Sequence, residues 1–130
     1  MNIAAVGVGS NIDAALNIAG ARELLSGEHT LLKESAFLVT TPIGNYRQPD
    51  FLNGAFLVAT QLDRDEFTAY LKKLEYRLGR VREADKYGPR TIDLDIVVWN
   101  GKIVHRDFHA RRFVKNAVVE LLPELETRKE

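Results

Sequence analysis

The chain has no cysteine anywhere in its 130 residues. That rules out disulfides and thiol catalysis, and a cytoplasmic setting is the expectation. Neither sign of charge is in excess, with 18 Lys and Arg against 18 Asp and Glu. There is therefore no global field of the kind that draws a protein to nucleic acid or a membrane surface. No stretch approaches the ~20 apolar residues of a membrane span. Met1 to Gly7 has no basic segment ahead of its short apolar run, so no signal peptide is expected. Internal repeats, linkers and low-complexity tracts are missing too. These absences leave one domain over residues 1–130, the usual size for a single hydrophobic core.

What is present is a regular alternation of elements. Ile3 to Val8 reads as a buried strand ended by Gly9. Asn11 is a candidate cap for a helix from about Ile12 to Leu25, with Ile18 and Leu25 on one face and Gly27 after it. Thr30 to Thr40 is strand-like. A first long loop occupies 41–53, and Gly54 to Gln61 reads as another strand. Asp63 is placed to cap a helix through about Leu78, with Phe67, Tyr70, Leu71, Leu74 and Leu78 as its apolar stripe and Gly79 as its stop. A second long loop, 80–90, precedes a strand from Thr91 to Trp99. Asn100-Gly101 is a two-residue hairpin signal, and Ile103-Val104 begins the return. Phe113, Val114, Ala117, Val118, Leu121 and Leu122 give a last helical face. The order β-α-β-β-α-β, with a hairpin and final helix added, predicts an α+β fold. It is ferredoxin-like, an antiparallel sheet with helices on one face.

Chemistry concentrates in Tyr87-Gly-Pro-Arg90-Thr-Ile-Asp93-Leu-Asp95-Ile-Val-Val98. A strand repeats every two residues, so Asp93 and Asp95 project from one face side by side. Carboxylates that close disfavour joint ionisation unless a cation lies between them. Oxygen ligands of this kind suit Mg²⁺, which binds one or two carboxylates and completes its shell from water and substrate phosphates. Arg80, Arg82, Lys86 and Arg90, four cations in eleven residues, are the natural complement of such phosphates. Asp-x-Asp at a strand end also occurs as a solvated edge, and Arg90 also suits a surface ion pair with Asp93. The apolar Ile96-Val97-Val98-Trp99 that follows argues against an exposed edge.

This segment resembles the signature of the 6-hydroxymethyl-7,8-dihydropterin pyrophosphokinase family. The likeness continues in Gly7-Val8-Gly9-Ser10-Asn11, in Thr41-Pro42, in Gln48-Pro49-Asp50-Phe51-Leu52-Asn53, in Glu75 with Leu78-Gly79-Arg80-Val81-Arg82, and in Arg111-Arg112-Phe113-Val114. It spans roughly residues 2 to 125, in the family's order. The resemblance implies transfer of pyrophosphate from ATP to the hydroxymethyl group of the dihydropterin, releasing AMP, in folate biosynthesis. Positioning and electrostatics dominate such phosphoryl chemistry.

By the same resemblance, Asp93 and Asp95 hold two Mg²⁺ ions, with Arg80 and Arg90 beside them as catalytic groups. Arg80, Arg82, Arg90, His105 and Arg111 face the triphosphate, where the planar guanidinium fork pairs bidentately with phosphate. Glu75 and Ile96 belong to the nucleotide side. Glu75 equally suits an exposed helix acid paired with Lys72. Thr41, Pro42, Phe51, Asn53, Tyr87 and Phe113 belong to the pterin side. There a flat ring wants aromatic faces and an amide that both donates and accepts. Tyr87 stands where the family often has tryptophan.

The chain departs from the family pattern around one nucleotide wall. The segment after Asp95 is short, Val104 replaces the usual proline, and the family's C-terminal extension is absent after Pro123-Glu124-Leu125. Either His105 or His109 then aligns with the phosphate-contacting histidine, and no residue is assigned as general base. The expected partners are ATP and the pterin, with neither nucleic acid nor membrane, and the expected state is a monomer. Two rivals stand beside this reading. One is a pterin- or nucleotide-binding paralogue with altered substrate or no activity. The other is a nucleic-acid module using the 80–90 basic loop, against which zero net charge and the lack of an exposed aromatic pair both count.

Overall fold

The computed structural model describes residues 1–42, 44, 47–79 and 91–127. Its centre is β1 (Asn2–Ser10), which pairs antiparallel with β4 (Phe51–Thr60) on one side and β5 (Asp93–Trp99) on the other. Beyond β4 lies a broken edge made of β2 (Thr30–Glu34) and β3 (Leu38–Thr40). Beyond β5 lies the two-residue β6 (Lys102–Ile103). The path is β2-β4-β1-β5-β6, with β3 continuing the β2 edge along β4. β1 and β2 run parallel with β4 inserted between them, and β4 and β5 run parallel around β1. These are the two interleaved β-α-β units of the ferredoxin-like architecture expected from the element order.

α1 (Ala14–Glu28) and α2 (Arg64–Arg77) cover one face. Ile18, Ala21 and Leu25 of α1 and Phe67, Leu71 and Leu74 of α2 pack there on Ala4, Val6, Val8, Phe56, Val58 and Leu94. Full burial of each large side chain contributes about 1.5–3 kcal/mol. The opposite face is not left to solvent. α4 (Arg112–Leu121), preceded by the one-turn α3 (Asp107–Ala110), covers it through Phe108, Ala117, Val118 and Leu121 on Ala5, Ala55, Leu57 and Val97. The helices therefore occupy both faces, where the sequence pattern predicts one.

Local chemistry explains the boundaries. The Asp63 side chain accepts from the Glu66 N–H at 2.8 Å and the Glu66 carboxylate accepts from the Asp63 N–H at 2.9 Å, a complete capping box. Gly79, at φ 96°, closes α2 as expected. Asn100 and Gly101, at φ 49° and 81°, form the hairpin.

Three expectations are corrected. Asn11 does not cap α1. Its amide donates to Gln48 Oε1 at 2.7 Å and to the Pro49 carbonyl at 2.9 Å, and α1 begins only after Asp13. The Thr30–Thr40 strand is interrupted, because the Ser35 hydroxyl accepts the Ala55 N–H and Phe37 folds over Gly54, where a Cβ would meet its ring at 2.6 Å. The first loop ends before Phe51, so Phe51 and Asn53 are strand residues.

Candidate active site

The α4 face carries small or polar residues at one end. Asn53, Gly9 and Asp93 stand side by side on β4, β1 and β5, and Ala55, Gly7 and Asp95 form the next row. Glycine in the central strand leaves bare backbone between the amide and the acids. A Cβ on Gly9 would lie 2.5 Å from Asn53 Oδ1, and one on Gly7 3.3 Å from Val97 Cγ2. This strip is the floor of a pocket whose walls are Thr40 and Thr41, Phe51, His105, Asp107, and Phe113 and Val114 from the start of α4.

Of the residues singled out from sequence, the pocket gathers Thr41, Phe51, Asn53, Asp93, Asp95, His105 and Phe113. Pro42 is buried beside it. Arg111 sits half-exposed at the junction of α3 and α4, outside the lining. Glu75 and Ile96 belong to the other face, toward α1 and α2. Arg80, Arg82, Lys86, Tyr87 and Arg90 lie outside the described residues. The two histidines separate clearly. His105 is in the pocket wall, while His109 is exposed in α3, edge-on to Phe108.

Several polar residues in and around the pocket are held by neighbours. The Asn53 amide donates to Thr40 Oγ1. His105 Nδ1 accepts the Asp107 N–H at 3.1 Å, leaving Nε2 as the ring's donor. Ser10, fully buried at the end of β1, donates its hydroxyl to the Thr91 carbonyl and so ties the entry of β5 to the floor.

The acid strand has a second support that sequence reasoning did not assign. β6 pairs β5 only at Val98 and Trp99, so among the described residues Leu94 has no strand beside it on that edge. α2 replaces the strand. Glu75, 3% exposed, accepts the Leu94 N–H at 2.7 Å. The Lys72 ammonium donates to the Leu94 carbonyl, to Glu75 Oε2 and to Asp95 Oδ1, all at 3.2 Å. Partial burial pulls the Lys72 ammonium down. The charges of Asp95 and Glu75, with hydrogen bonds to both, outweigh that and hold it above the ordinary lysine range. The only trace in the sequence is Lys72 three residues before Glu75 on a helix, a spacing common on any solvated face.

The donor set fits Mg²⁺. Two hard carboxylates project from one strand face into a pocket whose central strand, at Gly7 and Gly9, has no side chain to block a ligand. Beside them are two aromatic rings and a fixed amide, the equipment for a flat polar heterocycle. Fold and site together define an α+β domain whose pocket sets two strand carboxylates beside aromatic rings and an amide.

The chain belongs to the 7,8-dihydro-6-hydroxymethylpterin-pyrophosphokinase family, whose model matches residues 5–123. It is 36% identical to the 2-amino-4-hydroxy-6-hydroxymethyldihydropteridine pyrophosphokinase of Methylorubrum extorquens, across 96% of this chain and 85% of that one. It is 32% identical to the protein of the same name from Bacillus subtilis, across 96% and 81%. To that of Haemophilus influenzae it is 33% identical, across 78% and 67%. Among the described residues no helix is long and apolar enough to cross a membrane.

Proposed function

We propose that this chain transfers the pyrophosphoryl group of ATP to the hydroxymethyl oxygen of 6-hydroxymethyl-7,8-dihydropterin, in folate biosynthesis. The pterin oxygen forms a bond to the β-phosphorus, the bond from that phosphorus to the α-phosphate oxygen breaks, AMP leaves, and the hydroxyl proton is lost. The observation that carries this reading is the row Asn53–Gly9–Asp93, an amide and an acid facing each other across bare backbone in one pocket.

Phe51 and Phe113 sandwich the pterin, Asn53 reads its amide-like edge, Thr41 and Pro42 close the rim, and Tyr87 is a further pterin-binding residue by its place in the family signature. Asp93 and Asp95 hold two Mg²⁺ ions. When bound, these ions supply neutralisation of the triphosphate and acidification of the pterin hydroxyl. Arg80 and Arg90 clamp the transferring group, and Arg82, His105 through Nε2, and Arg111 take further phosphate oxygens. Glu75 and Ile96 support the nucleotide from behind β5. The chain works as a single-domain monomer in the cytoplasm.

The test is AMP formation from ATP and the hydroxymethyl pterin, with Asp95→Asn as the control. The wild type should turn over, and the variant should lose about 10³-fold in rate with its melting temperature kept. Turnover within about tenfold of wild type would remove the metal assignment. Ligand-induced stabilisation of the wild type without AMP would mark a binding protein instead.

A further inference from the structure

Lys72 has no part in the roles assigned above, yet its ammonium is fully engaged. Three donors meet three acceptors, Glu75 Oε2, the Leu94 carbonyl and Asp95 Oδ1, each at 3.2 Å. These acceptors come from α2 and from two successive residues of β5, so the side chain bridges the helix to the acid strand. Its stem is half-exposed, but a cation with every donor matched is a fixed charge, unlike a loose surface ion pair. Asp95 lines the pocket while its Oδ1 is held from the strand edge.

We propose that Lys72 is a positioning residue for pyrophosphoryl transfer. It fixes the Asp95 carboxylate through Oδ1, leaves metal coordination to Oδ2, and acts as a resident cation that makes the acid pair accept a divalent ion only together with a triphosphate. The inference rests on the reading of this pocket as a metal–nucleotide site. Its physical basis is Coulombic. A fixed positive charge beside a carboxylate repels a bare divalent ion, and it attracts the same ion once a triphosphate has reversed the sign of the complex. Changing a group of this kind behind a metal ligand typically alters metal affinity or activity about 10–100-fold.

Lys72→Met keeps the stem and removes the charge, and Lys72→Arg keeps the charge. Calorimetry would follow Mn²⁺ alone, then Mg²⁺ with a non-hydrolysable ATP analogue, alongside steady-state kinetics. In Lys72→Met, Mn²⁺ alone should bind about tenfold tighter and the Mg²⁺–analogue about tenfold weaker. The turnover number should fall about tenfold, with the pterin KM within about twofold. Lys72→Arg should restore the wild-type order of affinities. A merely structural lysine would weaken both ligands together. Bare Mn²⁺ binding no tighter in Lys72→Met, or an unchanged Mg²⁺–analogue affinity, would overturn the proposal. If Lys72→Met fails to fold, Lys72→Gln, which keeps a donor without the charge, decides by the same two affinities. Failure of the parent reading looks different. Asp95→Asn would then leave Mg²⁺–analogue binding intact, while the Mn²⁺ comparison would still rule on Lys72.

Discussion

At position 9 a single hydrogen separates the amide side of the pocket from its acid side. The backbone of Gly9 is extended and pairs with Asn53 on one strand and Asp93 on the other, so an alanine there meets no conformational strain. What it meets is Asn53 Oδ1, 2.5 Å from the added carbon. That amide is not free to swing away, because its nitrogen is bound to Thr40. Gly9→Ala should therefore displace the amide proposed to read the pterin. The pterin KM is expected to rise about tenfold or more, the ATP KM to move little, and stability to fall by about 1–3 kcal/mol. Kinetics and urea unfolding of the one variant check all three. An unchanged pterin KM would mean that the substrate does not lie on this floor. At this scale the sequence is informative where chemistry repeats locally. The two acids announce themselves because i and i+2 share a strand face. Lys72 does not announce itself, because its decisive partner is 23 positions away and is reached only around a strand edge.

At the scale of elements, the joint between α2 and β5 carries the site. Leu94 is fully buried, and its N–H and C=O are served by Glu75 and Lys72. Glu75→Ala leaves that buried N–H without its carboxylate and takes one acceptor from Lys72. An unsatisfied buried donor costs about 1–3 kcal/mol, so the urea midpoint of the variant should fall by a corresponding amount. Loss of less than about 0.5 kcal/mol would show that the helix does not hold the strand. The same element shows what sequence can convey. Asp63, Glu66 and Gly79 set both ends of α2 by local bonds and local φ, and the expected limits agree with the observed helix. β4 begins three residues before the expected Gly54, because Phe51 to Asn53 pair with β3, a partner that sequence spacing does not reveal, and Gly54 admits the Phe37 ring from the neighbouring edge. Asn11 misled for a similar reason, since its amide serves a loop 37 residues away and leaves its own helix uncapped.

Over the whole molecule, the sheet is buried on both faces, which is why β1 reads as a continuous apolar run with no polar alternation. The helix on the second face could not be assigned from periodicity, which shows that an apolar stripe exists but not which layer it meets. The two layers also set how stability responds to pH. His29 ends α1 and packs edge-on against Phe67 and Tyr70 of α2, with ring centroids 5.4 and 4.3 Å away. Burial there pushes its imidazole below the ordinary value of 6.5, and the neighbouring Glu28 only partly opposes this. The folded state thus binds fewer protons at this site than the unfolded chain does. The His29 contribution is present in full above the unfolded value and is lost as pH falls through the lower folded one. Glu28 titrates in a separate, more acidic window, because hydrogen bonds from Arg77 and Tyr70 hold its carboxyl below 4.5. Between about pH 7.5 and 5.5, urea unfolding of the wild type should therefore show falling stability, and His29→Gln should lose that part of the slope while keeping the steeper acid loss below it. An equal slope in both proteins across that interval would place the proton uptake elsewhere than at the junction of α1 and α2.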